Sequence, residues 1–211
     1  MVKAENIRVL CACEESQAVT IAFRERGFEA YSNDVQDQSG GHPEWHLKMD
    51  CFEAIKLIKP TLMIAFPPCT HLAVSGARHF EAKRKDGRQQ EGIDFFMRII
   101  NAPIKHLAVE NPVGIMSSLY RKPQQIIQPF WFGDAERKTT CLWLKNLPLL
   151  KPTNVVEVDF YIGKNGKKYT NIHNGMGVGW NTDECKKLRS KTFPGIAKAL
   201  AEQYGNYLLT Q

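Results

Sequence analysis

Two apolar runs in this chain end in the same way, and that ending limits what the chain can become. The first, Leu62-Met63-Ile64-Ala65-Phe66, meets Pro67-Pro68-Cys69, and the second, His106-Leu107-Ala108-Val109, meets Glu110-Asn111-Pro112. Neither run alternates apolar with polar residues, which is the pattern of a strand buried on both faces. Proline constrains the residue before it and has no N–H for a ladder, so one strand should end at Cys69 and the other at Glu110. In an open α/β sheet, ligands bind in the crevice at the carboxyl ends of the strands. The two endings therefore direct a thiol and a carboxylate toward one site.

The remaining chain supplies the elements such a sheet needs. Residues 7–13 read as a strand, 16–26 as a helix with Val19, Ala22 and Phe23 on one face, and 28–32 as a second strand, with Gly27 at the joint. A polar loop over 34–46 and a short helix over 51–58 precede the strand that ends at Cys69. The polar segment 82–92 leads into a helix with Ile93, Phe96, Met97 and Ile100 on one face, then the strand that ends at Glu110. This alternation predicts an α/β fold with a doubly wound, mostly parallel sheet. Beyond it the sequence suggests a helix over 119–127, a strand over 139–144, an irregular stretch to about 191 and a helix over 193–209.

A length of 211 residues, 43% hydrophobic and 24% charged, suits a single domain over 1–211. No apolar stretch approaches the ~20 residues that span a bilayer. The opening Met1-Val2-Lys3-Ala4-Glu5-Asn6 lacks a signal-peptide core, so the expected location is the cytoplasm, with no membrane partner. The six cysteines are then expected to be reduced and available for thiol chemistry. A net charge of +6 is compatible with a phosphate-bearing partner, although many proteins share so modest a balance.

At a strand end, near helix N-termini or cations, the Cys69 thiol can act as a nucleophile; the alternative is a small buried hydrophobe. Burial of Glu110 would raise its pKa, and a protonated carboxyl could donate to a ring nitrogen; otherwise it is a capping or salt-bridged acid. Together the two groups suit addition chemistry on a pyrimidine.

The Pro-Cys at one strand end and the Glu-Asn at the next resemble the catalytic motifs of DNA cytosine-5 methyltransferases. From Val9 to Gln203 the chain is similar to the short phage and prophage proteins described under that heading. The resemblance implies a Rossmann-like fold of the S-adenosylmethionine-dependent methyltransferase type, DNA as partner and a setting such as restriction-modification. A cysteine like Cys69 adds to carbon 6 of cytosine and a glutamate like Glu110 holds N3. Carbon 5 then takes the methyl group of S-adenosylmethionine, and loss of the carbon 5 proton frees the enzyme. By the same resemblance Cys13, Glu14 and Ser16 contact the cofactor after the first strand. Asp34 meets the ribose, Asp50 the adenine amine, and Phe66 and Pro67 line the pocket. Pro68 and Asn111 would flank the substrate base, Lys83 and Arg84 the nucleic acid, and Arg137 would support the glutamate and the base. Solvation or helix capping is the alternative for Asp34 and Asp50, and a solvated turn or loop for Arg137, Lys83 and Arg84.

Two departures from the family pattern stand out. The turn Ala12-Cys13-Glu14-Glu15-Ser16 has no glycine to admit a cofactor closely. In place of a target recognition domain, 146–190 offers a reduced insertion with Lys164, Lys167, Lys168, Tyr169, His173 and Trp180. These residues could track phosphates and stack on a base, or form a solvated hairpin. Weak sequence selection on a flipped-out cytosine is the expectation. Other readings remain: zinc held by Cys11, Cys13, Cys69 and His71, a thiol hydrolase using Cys69 with His71, an inactive nucleic-acid-binding module, or an enzyme acting on a free cytosine nucleotide.

Overall fold

Helices cover the central strands on both sides, which is why those strands are continuously apolar. The computed structural model describes residues 3–163, 165–170, 178–179 and 182–211. The first half of the sheet comes from β1 (Arg8–Ala12), β2 (Glu29–Asp34), β3 (His46–Lys48) and β4 (Leu62–Ala65), with α1 (Ala18–Arg24) and α2 (Cys51–Ile58) between them. Then follow α3 (Phe80–Lys85), α4 (Arg88–Ile100), β5 (His106–Pro112), α5 (Met116–Leu119), β6 (Gln125–Ile127) and β7 (Thr140–Lys145). A two-stranded hairpin of β8 (Tyr161–Ile162) and β9 (Lys168–Tyr169) precedes α6 (Asp183–Ser190) and α7 (Pro194–Leu209).

The main sheet has seven strands in the order β3-β2-β1-β4-β5-β7-β6. β1 pairs in parallel with β2 and β4, β2 with β3, and β4 with β5, whereas β7 runs antiparallel to both β5 and β6. This is the doubly wound, mostly parallel α/β sheet that the sequence led us to expect. Alternation along each strand divides the core. Val9, Cys11, Ile64 and Ala108 face α1 and α7, packing on Val19, Phe23, Leu200 and Tyr204. Leu10, Met63, Leu107 and Val109 face α2 and α4, packing on Ala54, Ile55, Phe96 and Ile99. No helix among the described residues is long and apolar enough to cross a membrane.

Several boundaries differ from the sequence reading. β4 stops at Ala65, so Phe66 to Cys69 form a turn beyond the strand, while β5 runs past Glu110 to Pro112. The helix expected over 119–127 is instead the end of α5 followed by β6, with Pro123 lying between them. Polar residues Arg88 to Glu91 form the first turn of α4, and Gln89 among them is buried, donating from Nε2 to the His71 carbonyl at 3.2 Å. The short edge strand β3, the β8–β9 hairpin and the polar α6 lie in stretches read as irregular. Thr182 starts α6 by accepting from the Cys185 N–H at 3.1 Å.

Candidate active site

The turn carrying Cys69 and the end of β5 are fastened to each other. Ala65 lies opposite Val109 in the parallel ladder, so both chains leave the sheet at the same edge. The buried Asn111 side chain donates from Nδ2 to the Pro67 carbonyl at 2.8 Å, joining them. Pro67 is buried and Pro68 exposed. The Cys69 carbonyl accepts from the Leu72 and Ala73 N–H groups, both at 2.9 Å, and Val74 N donates to Val113 O at 3.0 Å. A Cβ on Gly114 would collide with the Leu72 carbonyl, so the second segment closes on the first only because residue 114 is glycine. Lys83 is buried, and its ammonium donates to the Thr70 carbonyl at 2.6 Å. It braces the Cys69 loop from within, while its neighbour Arg84 is exposed.

The electrostatics show that Cys69 and Glu110 share one environment. Burial raises the Cys69 thiol pKa, the Glu110 carboxylate raises it further, and Lys138 and Arg189 draw it back. Burial likewise raises the Glu110 carboxyl, against the pull of Lys138. Each acid opposes ionisation of the other, so protonating Glu110 removes a penalty on the Cys69 thiolate. Both shifts favour the protonated forms, and addition to a ring with a basic nitrogen needs the carboxyl to give its proton to that nitrogen and the thiol to lose its own.

The cation beside this pair is Lys138, which the sequence reading passed over in favour of Arg137. Arg137 is exposed, its guanidinium 5.9 Å from the Phe160 ring and 6.0 Å from that of Phe130. Lys138 and Thr140 instead face inward with Glu110, Phe66, Leu142 and Phe193 around a small cavity of about 20 Å³, room for a single water. Leu142 stands opposite Glu110 in the antiparallel ladder. The signal was the period-two phase of β7 carried back into the segment before it, which puts position 138 on the side of Thr140 and Leu142. The end of α6 crosses this site: Lys138 Nζ donates to the Arg189 carbonyl at 2.9 Å, and Lys187 Nζ lies 3.5 Å from Glu15.

At the end of β1 the chain turns sharply without glycine. Cys13 and Gln17 adopt left-handed backbone, with φ of 58° and 59°. Glycine appears in the facing loop instead: a Cβ on Gly40 would sit 2.6 Å from the Gln17 Cβ and 2.7 Å from the Ser16 carbonyl. The buried Gln17 amide ties that loop down, donating to Ser32 Oγ at 3.1 Å and His42 O at 2.8 Å. Glu14 points inward. Its carboxylate accepts from the Val19 and Thr20 N–H groups at 2.6 and 3.3 Å and from Thr20 Oγ1 at 2.7 Å, and burial pushes its pKa up to about 7. Ser16 Oγ accepts from Ala18 N at 3.5 Å. Glu14 and Ser16 thus serve the start of α1.

Behind the neighbouring Cys51 and burial, the Asp34 carboxylate at the end of β2 and the Asp50 carboxylate capping α2 both push the Cys13 thiol pKa up. Asp34 accepts from Gln36 N at 2.9 Å, and the exposed Asp50 caps α2 through Phe52 N at 2.8 Å. Phe66 lies elsewhere, on the α7 side by Glu110. Cys11 packs among the α1 side's residues and Cys13 against those beneath α2, so the Cys-x-Cys thiols part to opposite faces of the sheet. No cluster of three or more His, Cys, Asp or Glu fit for a metal occurs among the described residues. In the insertion, the Tyr161 and Tyr169 rings stack at 5.8 Å and Lys168 lies 5.9 Å from the Phe160 ring. Lys164, His173 and Trp180 lie outside the described residues.

No protein-family model matches this sequence, and no curated protein matches it. Among solved structures, the crystal structure of the S. pombe Dnmt2 methyltransferase is similar to part of the chain, with a TM-score of 0.44 and 15% identity. The match covers 68% of this chain and 50% of that one, so the chain spans about half the length of that structure.

Proposed function

We propose that the protein transfers a methyl group from S-adenosylmethionine to carbon 5 of cytosine in DNA through a covalent bond to Cys69. One observation carries the reading: the Cys69 thiol and the Glu110 carboxyl occupy neighbouring strand ends, coupled to each other and to the Lys138 ammonium. Cys69 first gives its thiol proton to solvent; protonated Glu110 then gives its proton to N3 as the thiolate sulfur bonds to carbon 6, and the displaced electron pair makes carbon 5 nucleophilic. S-adenosylmethionine supplies an electrophilic methyl group to that carbon. Loss of the carbon 5 proton to solvent then breaks the sulfur–carbon bond, and Cys69 and Glu110 return to their starting states. Lys138 offsets the negative charge passing between them.

The residues at the end of β2 and the start of α2 fit the methyl donor chemically: Asp34 and Asp50 offer acceptors for hydroxyl and amine groups beside the left-handed turn at Cys13. Arg84, Arg137, Lys167 and Lys168 are exposed cations suited to phosphates. The test incubates the protein with labelled S-adenosylmethionine and DNA containing 5-fluorocytosine, whose fluorine blocks release. A labelled adduct that survives denaturation is expected, and it is absent in Cys69→Ser. A second reading, a nucleic-acid-binding module without catalysis, draws on the small cavity at Glu110 and the tie from Lys138 to Arg189. It predicts DNA binding with no adduct. Labelling of 5-fluorodeoxycytidine triphosphate in place of the DNA would assign the free nucleotide as substrate.

A further inference from the structure

Every backbone carbonyl in the turn from Cys69 to Ala73 has a donor. Cys69 O takes the Leu72 and Ala73 N–H groups, Leu72 O takes the Ile115 N–H at 3.0 Å, and Ala73 O takes the Gly76 N–H at 3.0 Å. For Thr70 and His71 the donors are side chains: Lys83 Nζ at 2.6 Å and Gln89 Nε2 at 3.2 Å. Lys83 lies on α3 and Gln89 in the first turn of α4, on either side of Gly87. Both are buried, although their neighbours Arg84, Arg88 and Gln90 are exposed. A Cβ on Gly76 would lie 3.3 Å from Lys83 Nζ, so the chain after the turn closes tightly over the ammonium.

An ammonium drawn out of water is costly, and here it faces the Thr70 carbonyl and, 6.0 Å away, the Phe80 ring. An apolar side chain of similar length would hold the fold about as well, so stability alone gives no reason for a lysine at 83. Its reach to the residue after Cys69 does. We propose that Lys83 and Gln89 are positioning residues: by holding the consecutive Thr70 and His71 carbonyls they fix the turn that begins at Cys69 and so set its sulfur for addition to the ring. The resemblance to the methyltransferases put Lys83 on the nucleic acid, whereas its ammonium is directed inward, to the backbone of the nucleophile's own turn. Without the two donors the turn keeps its backbone bonds but loses its tie to the pair of helices behind it. A nucleophile displaced by about 1 Å reacts on the order of a hundredfold more slowly.

The inference deepens the proposed function and rests on it for the reaction that the sulfur performs. Its test compares the full wild-type chain with Lys83→Met and Gln89→Leu, which remove one donor each at similar side-chain size. Amide hydrogen exchange, which needs no substrate, is read first. The Leu72 and Ala73 N–H groups are expected to exchange at least about tenfold faster in each variant, with β4 and β5 protected as in the wild type. Unchanged exchange at both amides, or a loss of protection in β4 and β5 in both variants, overturns the local brace. The rate of adduct formation on DNA containing 5-fluorocytosine is read second. At saturating DNA it is expected to fall about tenfold or more, while the Kd for that DNA changes less than about twofold. A lysine on the DNA surface would do the reverse, so a weaker Kd with an unchanged rate at saturation overturns the assignment. Faster exchange with an unchanged adduct rate likewise overturns the positioning role. A wild-type chain that forms no adduct overturns the proposed function, and exchange at Leu72 and Ala73 then decides whether Lys83 and Gln89 hold the turn.

Discussion

Glu14 and Glu110 are both acids drawn into the protein, but their surroundings give them opposite work. Glu14 receives three donors at the start of α1 and still titrates near 7, because burial outweighs them. Unfolded, it titrates near 4.5, so the folded state holds this proton more tightly. Its contribution to stability is complete below about pH 4.5 and is lost as pH rises to about 7, roughly 3 kcal/mol in all. The urea midpoint of the wild type is therefore expected to fall from pH 5 to 7, and that of Glu14→Gln to fall less. Glu110, also raised, adds in the same direction. Around Cys69 the charges make two opposed predictions. Lys138→Met removes a cation that favours the thiolate and should slow iodoacetamide alkylation of Cys69 several-fold at neutral pH; Glu110→Gln removes an opposing carboxylate and should speed it. Cys69 and Glu110 stood out in the sequence because proline marked each strand end. Lys138 did not, because Glu136-Arg137-Lys138 reads as one charged run until the phase of β7 fixes which residue faces inward.

At the level of elements, the turn after β1 shows how a missing glycine can be relocated. Left-handed backbone at Cys13 and Gln17 costs of order 1 kcal/mol each, and the room that a glycine turn would give is found across the gap at Gly40. Gly40→Ala should lower stability by about 1–3 kcal/mol, read from a urea titration, because the new methyl meets the Ser16 carbonyl and the Gln17 Cβ. The long apolar periods, α2, α4 and α7, were legible. The helix read over 119–127 was not, because its apolar residues divide between the end of α5 and the strand β6, and β6 takes its identity from pairing with β7. The insertion was read as irregular for a related reason: β8 and β9 have two residues each and exist only as partners. α6, polar along most of its length, gave no apolar stripe to read.

For the molecule as a whole, α/β alternation was enough to indicate the parallel half of the sheet, while the antiparallel edge came from long-range pairing. That edge is anchored by Trp143, almost completely buried, 5.2 Å from the Phe96 ring in an edge-on contact and donating from Nε1 to the Arg121 carbonyl at 2.8 Å. Trp143→Ala should destabilise the fold by about 3–5 kcal/mol, measured by thermal or urea unfolding. Since β7 returns against its neighbours, the segment leading into it brings Lys138 to Glu110, and the strand itself closes the flank of β5. A truncated chain ending before β7 would expose the unpaired rim of an apolar strand, a template for other copies, and should precipitate as aggregate before its thiol could ever be tested.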